Sequence, residues 1–94
     1  MTKYIVRYSS TFKKRLKKII KRGKDINKLI FVVERLANEE ELERKYHNHI
    51  LRDDNYYKNC GECHIEPDWL LIYQYNDNQL MLLLVDTGSH SDLF

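Results

Sequence analysis

The chain has 94 residues, 43% of them hydrophobic, and a formal net charge of +2, enough for one hydrophobic core and too few for two. No stretch is long and apolar enough to span a membrane, and the opening MTKYIVRYSS alternates polar and apolar residues, unlike the apolar core of a signal peptide. A single domain over residues 1–94, acting in the cytosol without a membrane, is therefore expected, and there Cys60 and Cys63 would not form a disulfide framework.

Segment 3–8, KYIVRY, alternates and predicts a strand. Ser9, Ser10 and Thr11 offer N-cap oxygens to a helix on which Phe12, Leu16, Ile19, Ile20 and Gly23 share one face and lysines cover the other. Gly23 is a natural stop. Asp25 can cap a second helix with the apolar face Ile26, Leu29, Ile30, Val33, Leu36 and Ala37, and the short join implies an antiparallel pair.

Charge along these helices is lopsided. Residues 1–28 carry 11 Lys/Arg and one acid, whereas residues 29–94 carry five Lys/Arg and 13 Asp/Glu. The run 13–24, KKRLKKIIKRGK, has eight basic residues and no acid. It reads either as a solvated helix face or as a surface for a polyanion or an acidic protein.

After Asn38 the pattern loses its period, which predicts a loop-rich connection with one helical turn and a short strand near Ile50. Residues 60–66 form a strand ended by Pro67, and WLLIYQY (69–75) and QLMLLLV (79–85) form two more, joined through the turn residues NDN. The order β-α-α-β-β-β predicts an α+β fold, with two N-terminal helices packed on one antiparallel sheet of about four strands.

Cys60-Gly61-Glu62-Cys63-His64 spells C-x-x-C-H, the spacing of a haem attachment site. On a strand, however, positions i and i+3 face opposite sides, so the two sulfurs point apart. That geometry disfavours haem, redox and zinc readings alike, although His47 and His49 are nearby, and makes Cys63 a core residue. The same alternation puts Glu62, His64 and Glu66 on the opposite face from Cys63 and Ile65. His64, Asp68 and Trp69 fall on or just past that strand's end, His49 in the connecting loop, and His90 beyond the last strand. A lone histidine is usually a surface or core residue. Three histidines and an aspartate at loop or strand ends point to acid–base chemistry.

HIEPDWLLIY (64–73) followed by TGSHSDLF (87–94), with two basic N-terminal helices and NHIL (48–51), resembles the YafQ-type toxins of the RelE/ParE superfamily over the whole chain. The resemblance implies a RelE-like fold of the microbial-ribonuclease type. It implies a metal-independent, cofactor-free endoribonuclease, an mRNA interferase acting in the ribosomal A site. By position, the family's histidines fall on His49, His64 and His90, its acid on Asp68 and its aromatics on Trp69 and Phe94. His90 would be the general acid, Asp68 or His49 the base, and His64 would hold the phosphate or orient Asp68. Trp69 and Phe94 would support bases or the C-terminal segment. Lys13, Lys14, Lys17, Lys18 and Lys21 would dock on ribosomal RNA. The implied partner is a RelB/DinJ-like cognate antitoxin in a heterotetramer or larger complex, touching operator DNA only through the antitoxin.

The chain departs from that pattern in two places. Asp86 stands where the family usually has an arginine before T-G-S-H, and Gly61 where it commonly has one before the H-I-E-P-D histidine. A carboxylate in place of a cation near a dianionic transition state would cost on the order of several kcal/mol. Lys58 or Arg52, in a loop two residues longer than in relatives, would have to compensate. The alternatives are a weakened homologue serving as antitoxin-binding module and co-repressor, or a gyrase-inhibiting toxin, which the histidine–aspartate set disfavours.

Overall fold

The computed structural model describes residues 3–51 and 56–94. Strand β1 (Ile5–Tyr8) leads into helices α1 (Ser10–Lys21) and α2 (Ile26–Ala37). A 3-10 turn (Arg44–Tyr46) and the two-residue strand β2 (His49–Ile50) follow, then β3 (Gly61–Glu66), β4 (Trp69–Asn76), β5 (Met81–Gly88) and the short helix α3 (His90–Leu93).

The helix ends form as their residues dictate. The Ser9 hydroxyl accepts the Phe12 N–H at 2.9 Å, and Asp25 accepts the Asn27 N–H at 3.0 Å, which satisfies amides that have no partner within the helix. Gly23, at φ +82°, turns the chain out of α1. The buried stripes differ from the expected ones. Ile20 and Ile30 are exposed, while Val32 is fully buried with Leu29, Leu36 and Ala37. The helices rest mainly on the sheet, α1 over β5 and α2 over β3. Leu16, Ile26, Ile30 and Val33 consequently line an apolar groove with Val6 and Tyr8 of β1.

Five strands in the order β1-β5-β4-β3-β2 make a mixed sheet, where about four antiparallel strands are expected from sequence. β1 pairs with β5 in parallel because the two helices carry the chain back across the sheet. The hairpin turn spans residues 77–80, so β5 starts two residues later than expected and runs three beyond Val85. β4 is covered on both faces. Leu71 and Tyr73 pack toward the helices, and Ile72 packs on the other side with Tyr57 and Cys60, beside Val85 and Leu93. Hence its apolar run does not alternate. Cys63 belongs to the helix-side core and Cys60 to the opposite cluster, as alternation requires.

Candidate active site

Two adjacent rows across the sheet build the site. One runs Asp86–Ile72–Glu62–His49 and the next Gly88–Leu70–His64, each a set of cross-strand partners. Glu62 is only 6% exposed, and its Oε1 lies 3.5 Å from His49 Nε2 and 3.3 Å from His64 Nε2. The His64 ring meets the edges of His90 and His47, with centroids 5.5 and 5.3 Å away. All four histidines of the chain therefore form one connected cluster. His47 ends the 3-10 turn in a left-handed conformation (φ +47°), which costs a non-glycine residue about 1 kcal/mol. Its carbonyl accepts the His49 Nδ1–H at 2.7 Å, which leaves Nε2 toward Glu62.

A β-bulge at His64/Glu66 ends β3 and brings Asp68 over the start of α3. Oδ1 of Asp68 accepts the His90 main-chain N–H at 2.8 Å and the ring Nδ1–H at 2.7 Å. These two bonds, the main-chain one first, hold the Asp68 carboxyl below its ordinary range. With Nδ1 engaged, His90 has Nε2 for a substrate.

Helix α3 is fastened to α1. Arg22 forks onto the Asp92 carboxylate at 2.7 and 3.2 Å, and Arg15 donates to the Asp92 carbonyl. Asp92 also closes a capping box with Ser89, and Arg22 first, then the Ser89 N–H, holds its carboxyl far below the usual range.

The structure brings His49, His64, Asp68 and His90 together, but Asp68 serves His90, and His64 contacts Glu62 and two imidazole rings. Trp69 is fully buried, its indole N–H given to Thr87 Oγ1 at 3.0 Å, so it cannot stack on a base and instead ties β4 to β5. Phe94 is 58% exposed and meets the Tyr57 ring at 5.8 Å. Asp86 does not open onto the site. It is 1% exposed, accepts the Tyr57 hydroxyl at 2.8 Å and has Arg15 Nε 3.7 Å away. The cation beside Asp86 is Arg15, and Arg52 lies outside the described residues. At Gly61 a Cβ would come within 2.4 Å of the Tyr73 ring, which explains why no larger residue sits there.

Lys13, Lys14, Lys17, Lys18 and Lys21 are exposed on α1. Other cations of the basic region turn inward: Arg15 and Arg22 to the C-terminal segment, Lys24 and Lys28 to Glu66, each at 2.7 Å. Four contributors have no assigned role from sequence: His47, Glu62, Arg15 and Arg22. Alternation already placed Glu62 on the His64 face; the pairing of β2 that delivers His49 to it has no such signal. A cleft of about 1010 Å³ runs from His47, His49 and His64 to the start of α2. Among the described residues, no three His, Cys, Asp or Glu side chains are arranged to hold one metal ion.

A family model described as bacterial toxin of type II toxin-antitoxin system, YafQ, matches residues 4–94. The mRNA interferase toxin YafQ of Escherichia coli B/BL21-DE3 is 38% identical over 90 residues, 95% of this chain and 94% of that protein. A metal-bound toxin from Helicobacter pylori superposes with a TM-score of 0.90 at 41% identity, both chains fully covered. The toxin of the Escherichia coli DinJ–YafQ toxin–antitoxin complex does so with a TM-score of 0.85 at 35% identity, 98% of each chain covered.

Proposed function

Because the chain belongs to the YafQ family of bacterial type II toxins, we propose that it is an endoribonuclease that cleaves mRNA in the ribosomal A site. The observation that carries this reading is the Asp68–His90 pair set against the His64 ring, with Glu62 joining His64 to His49. In the proposed step the ribose 2′-oxygen attacks the adjacent phosphorus as its proton passes to His49. The P–O5′ bond breaks and His90 gives a proton from Nε2 to the leaving oxygen. A 2′,3′-cyclic phosphate and a 5′-hydroxyl result. Asp68 orients His90 and stabilises its imidazolium, as the buried aspartate does in a Ser-His-Asp triad. With its pKa lowered, Asp68 is a poor base, which favours His49 for that part. Glu62 balances the proton that His49 takes up, and His64 faces the phosphate.

The weakened-homologue alternative rests on Asp86. Burial of that carboxylate between Tyr57 and Arg15 keeps its charge off the cleft, which supports an active enzyme. By analogy with the DinJ complex of the Escherichia coli toxin, a cognate antitoxin would neutralise this chain in the cytoplasm, and operator DNA would be reached only through it. The exposed lysines of α1 suit ribosomal RNA phosphates.

The test is cleavage of a defined mRNA on programmed ribosomes. A-site cuts bearing cyclic phosphate ends are expected from the parent and absent with His90→Ala. Equal cutting by that variant would refute the assignment.

A further inference from the structure

The cleft lined by His47, His49 and His64 does not end at them. It continues toward the start of α2, where its wall becomes Phe31, Tyr46, Ile65 and Pro67. Phe31 is 41% exposed on a helix that buries its neighbour Val32 completely. Its ring centroid lies 6.5 Å from that of Tyr46, inclined by 36°. The Arg35 guanidinium lies 4.9 Å over Phe31, and the Lys45 ammonium 5.3 Å over Tyr46. Two acids line this end, and both are engaged: Glu66 by Lys24 and Lys28, and Asp25 as the cap of α2.

We infer that this end of the cleft is a nucleobase subsite, in which one unstacked base of the RNA beside the scissile phosphate lies against Phe31 and Tyr46. The inference rests on the ribonuclease reading and deepens it. Three features favour a base. An exposed Phe31 beside a half-buried Tyr46, each with a cation over its ring, offers a base a ring to lie against and its phosphates nearby charge, as single-stranded nucleic acid requires. His47, His49 and His64 line the same cleft, so a strand with its phosphate at the histidines reaches the aromatic wall without leaving it. A volume of about 1010 Å³ is at the top of the range of small-ligand sites, enough for a nucleotide. Lys45 is placed for the neighbouring phosphate.

The experiment uses a trinucleotide of 2′-O-methyl RNA, whose 2′-oxygen has no proton to lose, carrying the fluorescent base 2-aminopurine at each position in turn. Quenching at one position is expected on adding the full-length protein. Phe31→Ala should weaken binding about tenfold and abolish that quenching, whereas Phe31→Trp should retain both. No quenching by the folded parent, or equal quenching by Phe31→Ala, would overturn the subsite. So would a Phe31→Ala protein that binds the trinucleotide normally but releases its antitoxin, since the wall would then be a protein-docking surface. The probe cannot be cleaved, so this result is independent of the ribosome assay. A parent that quenches but never cuts mRNA would keep the subsite and defeat the ribonuclease reading.

Discussion

Asp68 accepts two hydrogen bonds from His90 on one carboxylate oxygen, from the main-chain N–H at 2.8 Å and from the ring Nδ1–H at 2.7 Å. The first bond positions α3; the second engages Nδ1 and leaves Nε2 as the ring nitrogen turned away from Asp68. Asp68→Asn keeps an acceptor for the main chain but loses the charge behind the ring. Single-turnover cleavage should slow by about 100-fold or more. Because the side chain is 68% exposed, the urea midpoint should stay close to the parent's. Unaltered cleavage would remove Asp68 from the mechanism.

The Arg22–Asp92 fork makes an acid-sensitive clasp. The Asp92 carboxyl is depressed in the folded chain, so its contribution to stability is complete above the unfolded value of about 3.9 and is lost as the pH falls below it. Arg22→Ala brings the folded value back up. The variant should be less stable at pH 7, and its stability should fall less than the parent's between about pH 5 and 2. Urea midpoints across that range measure it, and parallel curves would rule the clasp out.

Asp86→Arg would supply the arginine that the family resemblance implies at this position, yet it should not activate this chain. It would place a second guanidinium beside Arg15 and remove the carboxylate that accepts the Tyr57 hydroxyl proton at 2.8 Å and the Thr87 main-chain N–H at 2.9 Å. A loss of about 3 kcal/mol or more is expected in denaturant unfolding, with part recovered in the Arg15→Glu background. A stable, more active Asp86→Arg protein would mean that position 86 reaches the phosphate.

Gly61 is sterically required. A Cβ there would overlap the Tyr73 ring, itself 3% exposed in the core, so Gly61→Ala should cost about 1–3 kcal/mol. Tyr73→Leu in the same protein should relieve part of that loss. Additive thermal shifts for the two substitutions would argue against the overlap.

Lys13→Glu combined with Lys17→Glu and Lys21→Glu should leave the fold intact, since all three lysines are exposed. Ribosome association should weaken, and its salt dependence should become shallower by about one unit of slope for each phosphate that is no longer neutralised. Binding that ignores both the charges and the salt would exclude α1 from docking.

Much of this molecule can be read directly from local pattern. Ser9, Gly23 and Asp25 mark helix ends because capping needs only the residues within a turn. Alternation along residues 60–66 separates Cys63 from Cys60 and His64, because successive side chains of any strand point to opposite faces. The motifs around His64 and His90 single out the residues proposed for acid–base chemistry. Only the fold could decide how those residues are wired, because each pairing joins positions far apart in the chain. The crossover through two helices sets β1 parallel to β5, and the β2–β3 register puts His49 opposite Glu62. Packing buries Trp69 and turns Asp86 toward Arg15, although either would look like a site residue by position. Local sequence determined the helix caps, the strand faces and the identity of the histidines and Asp68. Tertiary packing decided that Asp68 serves His90, that Glu62 joins two histidines, and that the basic helix uses two arginines to hold the C-terminal segment.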